Sequence, residues 1–386
     1  HYMDIKTIKT IESATEKSLS SFAKLSFSLL FLLAVFLWTY SSHGKVPDNT
    51  FLIIGAIFGA YMALNIGAND VANNVGPAVG ARALTLTGAI IIAAIFESAG
   101  AIIAGGDVVN TIKSGIINPN LITDKNSFIW AMTAGLLAGA VWLNFATSIG
   151  APVSTTHAIV GGVMGAGIAS AGFSILNWGS LAEIASSWVI SPLLGGIVAA
   201  GFLYFIKKQI VYKENMLEQA QKFVPILIAI MTWAFTTYLI LKGLKQLVNI
   251  SFLFASGISL LFAFVAYYIT KKSIDKNLSN LSNDRSSVNK LFTPALIFGA
   301  ALLSFAHGAN DVSNAIGPLA AINDAIMHGG TSVKASVPFW IMVVGAIGIV
   351  IGLILYGPRL IKTVGSEITE LDQMRAFSVA MATAVT

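Results

Sequence analysis

An all-α polytopic membrane protein is the fold class this sequence predicts, and three observations carry it. Of 386 residues, 55% are hydrophobic and only 11% charged, where a soluble domain carries roughly 25% charged residues. The charges gather between apolar runs of about 18 to 22 residues, long enough for a helix to cross a hydrocarbon core. A polar stretch, GANDVANNVGP at 67–77, recurs without a gap as GANDVSNAIGP at 308–318, which predicts two related halves. A barrel would show short alternating strands, and these runs do not alternate.

Several function classes fall away at once. The formal net charge of +5 does not point to nucleic acid, because the lysines sit at the ends of apolar runs and in the connections, as positive-inside topology requires. Without a single cysteine, thiolate metal sites and disulfide frameworks are excluded. No Walker A loop is present, which disfavours transport driven by ATP hydrolysis on this chain.

Taken in order, His1 and Tyr2 precede Met3 and are set aside. Residues 3–24 set Lys6, Lys9, Lys17 and Lys24 against Asp4, Glu12 and Glu16, predicting a short amphipathic helix at the membrane face. The first span is 22–40; it lacks a small-residue cleavage pattern and reads as a retained helix. The second, 51–66, ends at the first motif. Spans at 84–104 and 128–147 flank a polar loop, and APVSTTHAIVGG opens a further hydrophobic segment at 150–167. Next come 188–205, a charged linker at 207–222, two plain spans at 223–241 and 252–269, and a polar connection at 271–290. Residues 292–306 lead into the second motif, 337–355 span again, and 377–386 open another apolar run. The expected units are an N-terminal segment with an extra span (1–49), a first repeat (50–206), a linker with two plain spans (207–291) and a second repeat (292–386).

Charge placement orients these spans. The basic N-terminus, the 207–222 linker and the 271–290 connection are all expected on the cytoplasmic side. Lys242 and Lys245 run against the rule. The helix at 51 then starts outside and the one at 292 starts inside, giving an inverted-topology repeat with broken or re-entrant helices around a midplane site.

The motifs supply the candidate chemistry. Asn69, Asp70 and Asn73 in one copy match Asn310, Asp311 and Asn314 in the other, and each Asn pair spaced by one turn shares a helix face. Gly67 and Gly308 permit a backbone break before these residues; Gly76–Pro77 and Gly317–Pro318 permit one after. Unwound carbonyls with Asn and Asp oxygens suit Na⁺, and freed N–H groups suit an anion. The alternative is that the asparagines only hold helices together.

PVSTTH at 152–157 is the third constellation. Pro152 disfavours helix through Ala151, and Ser154 is placed to cap the helix that follows. Ser154, Thr155 and Thr156 offer three hydroxyls beside free N–H groups, a cradle for a tetrahedral oxyanion; a capped helix start with ordinary intrahelical bonds is the plainer reading. His157 reads either as an anion contact or proton relay, or as a packed histidine. His307 is equally ambiguous, and its counterpart Ile66 is apolar. Glu97 stands alone in an apolar run, where an unpaired carboxylate costs about 3 kcal/mol. It is expected inside the bundle, on an ion path or against a partner, with Arg82 as a candidate to pair with it or to attract anions. Asp324 and Glu183 are expected near the interfaces.

In this order, the stretches at 67–77, 152–162 and 308–318 resemble the signatures of the inorganic phosphate transporter family, with the resemblance running from about residue 51 onward. It implies uptake of inorganic phosphate coupled to Na⁺ or H⁺, two inverted repeats, a homodimer in the cell membrane, and no resident cofactor. It also implies that Asn69, Asp70 and Asn73, with Asn310, Asp311 and Asn314, are ion and phosphate ligands, while Ser154, Thr155 and Thr156 form the hydroxyl part of the phosphate site. The family pattern has a second PVSTTH-like motif after the second GAND stretch. None follows Pro318 here, so part of the second repeat is expected to be missing. A passive channel and a membrane-embedded enzyme or receptor are the rival classes. Repeated Asp residues speak against the first, and no nucleophile–base pair supports the second.

Overall fold

The computed structural model describes residues 5–47, 49–107, 115–118, 121–122, 124–243, 250–328 and 337–386, with the side chains of 5–19, 107 and 242–243 outside that description. The helices are α1 (Ile5–His43), α2 (Asn49–Asn69), α3 (Ala72–Gly80), α4 (Leu86–Ala104), α5 (Lys125–Ile149), α6 (Thr155–Ala171) and α7 (Trp178–Ile206). They continue with α8 (Met216–Gly243), α9 (Phe252–Asn277), the short α10 (Arg285–Lys290), α11 (Thr293–His328), α12 (Phe339–Lys362) and α13 (Gln373–Val385). Nine helical stretches among the described residues are long and apolar enough to cross a membrane. The protein is multi-pass and all-α.

Polar residues at the entrances explain where helices begin. Thr85, Asp124, Ser154, Asn177, Ser251 and Asp372 each turn a side-chain oxygen to a backbone N–H of the first turn, satisfying a donor the helix leaves open. At Asp124 these hydrogen bonds from Ser127 hold the carboxyl below its ordinary range. Gly150, at φ 78°, ends α5 in the left-handed region that glycine tolerates, and the chain reverses into α6. Gly135 meets Val163 and Gly139 meets Ala158, so α5 and α6 form an antiparallel hairpin whose tip carries Pro152–Thr155.

Four glycines set the centre of the bundle. A Cβ on Gly67 would collide with the carbonyl of Ile349, and one on Gly352 with that of Leu64; likewise Gly308 abuts the Glu97 carbonyl and Gly100 that of Phe305. Helices α2 and α12 thus touch backbone to backbone, as do α4 and α11, an approach open to small residues only. The two contacts are reciprocal. Leu64 and Gly67 stand in the first motif copy where Phe305 and Gly308 stand in the second, and Glu97 and Gly100 are spaced as Ile349 and Gly352 are. The motif helices themselves run antiparallel, since Gly55 lies against Ile322 and Gly59 against Leu319.

The structure corrects several expectations. In the second copy no break occurs: α11 runs as one helix through Gly308 and Pro318 to His328. In the first copy the chain leaves helical form at Asp70–Val71 and not at Gly67, and Pro77 lies inside α3. Gly67 and Gly308 serve close packing, and their neighbours keep the helical bonds. The N-terminal segment does not form a separate surface helix but continues into the first span as α1. Lys245 and the side chain of Lys242 lie outside the described residues.

Candidate functional site

The end of α2, the start of α6 and the middle of α11 meet at one buried polar centre. Asp70 receives the Thr155 hydroxyl on Oδ2 at 2.9 Å and the Asn73 amide on Oδ1 at 2.6 Å. Thr155, fully buried, also lies 3.5 Å from Asp311 Oδ2. From α11, Asn314 Nδ2 donates to the hydroxyls of Thr155 and Thr156 at 3.2 and 3.1 Å. Two acidic residues from the two motif copies therefore share one hydroxyl. Of the first-turn N–H groups of α6, that of His157 is taken by Ser154 Oγ at 3.2 Å, leaving those of Thr155 and Thr156 without an intrahelical acceptor.

His307 organises the acidic side of this centre. Its Nδ1 lies 2.8 Å from Glu97 Oε2, and its Nε2 lies 2.7 Å from Asp311 Oδ2 and 3.5 Å from Asp70 Oδ2. Glu97 is fully buried on α4 and takes a second hydrogen bond from Asn74 Nδ2 at 2.8 Å. Three carboxylates thus surround one imidazole, and a protonated ring balances only one of them. Such a centre attracts cations. The ligand atoms of Asp70, His307 and Asp311 lie within 4.8 Å of one another, close enough to converge on a single ion.

Other sequence candidates hold the frame. Asn69 clamps the hairpin tip: its amide donates to Thr147 Oγ1 at 2.9 Å and to the Ala151 carbonyl at 3.0 Å, and its Oδ1 accepts from Val153 N at 3.0 Å. Its counterpart Asn310 donates to Tyr238 Oη at 3.1 Å. Replacing Asn69 by alanine is expected to loosen the tip, with a loss of about 2 kcal/mol for a buried network of this size; faster proteolysis at 147–154 would report it.

Three candidates stand apart from the centre. Ser154 is exposed and spends its hydroxyl on His157 N, so the cradle here comprises Thr155 and Thr156. His157 is also exposed and lays its ring on Trp188, 3.9 Å between centroids, which is packing and no relay contact. Arg82 does not pair with Glu97, which His307 and Asn74 already hold. Elsewhere, Asp324 lies four residues before the end of α11, buried against its neighbours and 2.9 Å from His328.

The residue left undecided from the sequence, His307, is the hub; Asn74, a costly polar residue of the first motif, holds Glu97, and Thr147 and Tyr238 carried no signal of their own. One signal for His307 was available: Glu97 needs a partner inside the bundle, and His307 stands at the end of an apolar run beside the second motif.

A model of the Phosphate transporter family matches residues 66–386. The "Putative phosphate permease" of Helicobacter pylori strain J99 is 52% identical over 387 residues, covering all of this chain and 73% of that protein. The protein of the same name from Haemophilus influenzae strain KW20 is 39% identical over 340 residues, 86% of this chain and 81% of that protein. A solved structure described as "The sodium-dependent phosphate transporter" matches with a TM-score of 0.80 at 34% identity, over 87% of this chain and 83% of that one. On these matches the chain is a membrane transporter and not an enzyme. It belongs to the phosphate transporter family.

Proposed function

We propose that the chain is a sodium-coupled symporter of inorganic phosphate, working as two inverted repeats. The observation that carries the proposal is the sharing of Thr155 between Asp70 and Asp311. One hydroxyl-bearing helix start, suited to an oxyanion, touches two carboxylates suited to cations. Phosphate is held by Thr155, Thr156 and the free N–H groups of α6, with Asn73 and Asn314 alongside. Sodium takes oxygens of Asp70 and Asp311, joined by Asn69, Asn310 or main-chain carbonyls as each ion settles. Cation and anion are then neighbours, so each raises the affinity for the other by the same factor. The antiparallel motif helices and the reciprocal glycine contacts support inverted repeats, and the solved sodium-dependent relative supports the choice of ion. We further propose a homodimer in the cell's inner membrane, as the family resemblance implies, and a cytoplasmic N-terminus on the charge pattern of the connections.

The test is phosphate affinity of the full-length protein in vesicles, measured across sodium concentrations at fixed ionic strength and pH, for the parent and for Asp311→Asn. Affinity should rise with sodium in the parent, and the variant should lose sodium and phosphate binding together. The Glu97–His307 contact favours a second reading, proton coupling. Phosphate affinity indifferent to sodium and steep in pH would select that reading instead.

A further inference from the structure

Helices α8 and α9 pack on each other as a hairpin, and a cleft of about 500 Å³ separates this hairpin from the start of α11. Ala266, Ile269, Thr270, Ser273, Ile274 and Asn277 line it, spaced as a single face of α9. The walls are tied together at their base. Asn283 accepts from Leu217 N at 2.9 Å and donates to the Glu214 carbonyl at 2.7 Å, and Arg285 pairs with Asp372 at 2.7 Å. None of the lining comes from α3, α5 or α13. Because α6 packs on α5 and α7 on α13, the repeat correspondence sets their counterparts, which the 386 residues do not include, against α13 and α5. The cleft is bounded by neither helix.

Its lining changes character from end to end. Ile228, Ala266, Ile269 and Phe298 make one end apolar, and Ile269 and Phe298 are also exposed on the outside of the bundle. Ser273, Asn277 and Lys290 make the other end polar. Between the two, α9 carries Tyr267 and Tyr268, with Lys271 Nζ 5.9 Å from the Tyr267 ring, the aromatic and basic pairing of a membrane surface. The polar end is also basic. Lys290 is exposed and has no ion-pair partner among the described residues, and Lys271, Lys272 and Lys276 are exposed along the same end of α9. Asp275, the acid among them, is taken by Gln221 Nε2 at 2.5 Å.

We propose that this cleft is a site for one anionic phospholipid from the leaflet that meets the 271–290 connection. Its acyl chain lies between α9 and α11, and its headgroup phosphate meets Lys290, Ser273 and Asn277. An amphiphile matches a lining that turns from apolar to basic at the level of the interfacial tyrosines. A wholly apolar helix would bury Ser273 and Asn277 without partners, and a free anion would gain nothing from the apolar end. Basic pockets between helices at this face select anionic headgroups. The lipid seats the α8–α9 hairpin against the helix that carries the second motif, whichever solute is carried.

The test is the melting temperature of the full-length protein in neutral detergent, with saturating phosphate and sodium present throughout so that the central site is filled. Added dioleoylphosphatidylglycerol should raise it, and dioleoylphosphatidylcholine should raise it less. Lys290→Gln should demand about fivefold more phosphatidylglycerol for the same shift, the loss of one cation near the headgroup, and leave the phosphatidylcholine response unchanged. Lys208→Gln, which removes an exposed lysine beside Tyr204 and outside the cleft, should respond as the parent does. Ala266→Phe fills the apolar end, keeps every lysine and should abolish the shift with either lipid. A parent that phosphatidylglycerol does not stabilise, equal shifts with the two lipids, or matching losses in Lys290→Gln and Lys208→Gln would each overturn the site. A folded Ala266→Phe protein with the parent's response would overturn the placement of the chain.

Discussion

Valine at position 155 is expected to lower phosphate transport by about ten- to a hundredfold, on the loss of one hydroxyl donor bonded to a charged group, worth roughly 1.5–3 kcal/mol. The substitution keeps the branched shape and removes the hydroxyl that touches Asp70 at 2.9 Å and lies 3.5 Å from Asp311. Asn314 still has Thr156 to bond at 3.1 Å, so the helices keep their contact. Initial rates of phosphate uptake in vesicles, with Thr155→Ser as the variant that restores the hydroxyl, give the measurement. Near-parental uptake by a folded Thr155→Val protein would remove Thr155 from the site.

The second large effect is on stability. Replacing His307 by leucine leaves Glu97 fully buried with Asn74 as its remaining partner and leaves Asp70 and Asp311 without the imidazole between them. Removing one member of a buried ion pair costs about 3–5 kcal/mol, so the purified variant should unfold at a distinctly lower temperature. Adding Glu97→Gln should recover much of that loss, because a neutral amide is less costly to bury than an unpaired carboxylate. If His307→Leu melts with the parent, or if Glu97→Gln brings no recovery, the two residues do not depend on each other.

Much of this was legible in the sequence. Apolar runs gave the spans because a hydrocarbon core demands length and apolarity and little else. The duplicated polar motif marked the centre, since Asp70 and Asp311 have no cheap place elsewhere in such a chain. Glu97 was placed inside for the same reason. Other features depended on partners distant in sequence. Gly67 and Gly308 could equally have marked breaks or close contacts, and only the approach of Ile349 and Glu97 decides between the two. His307 looked isolated because its counterpart Ile66 is apolar, so symmetry argued against it, whereas the asymmetric need of Glu97 was the better guide.

The reciprocal glycine contacts also bear on how the protein is made. α2 seats on α12 and α4 on α11, so each half of the molecule completes part of its packing with the other half. The pairing of Glu97 with His307 joins residues separated by 210 positions. While the chain is being synthesised, Glu97 has Asn74, made before it, as a partner but lacks its histidine until α11 emerges. Because His307 and Asp311 come from the second half and Asp70 and Glu97 from the first, the acidic centre can be completed only after both halves have been made.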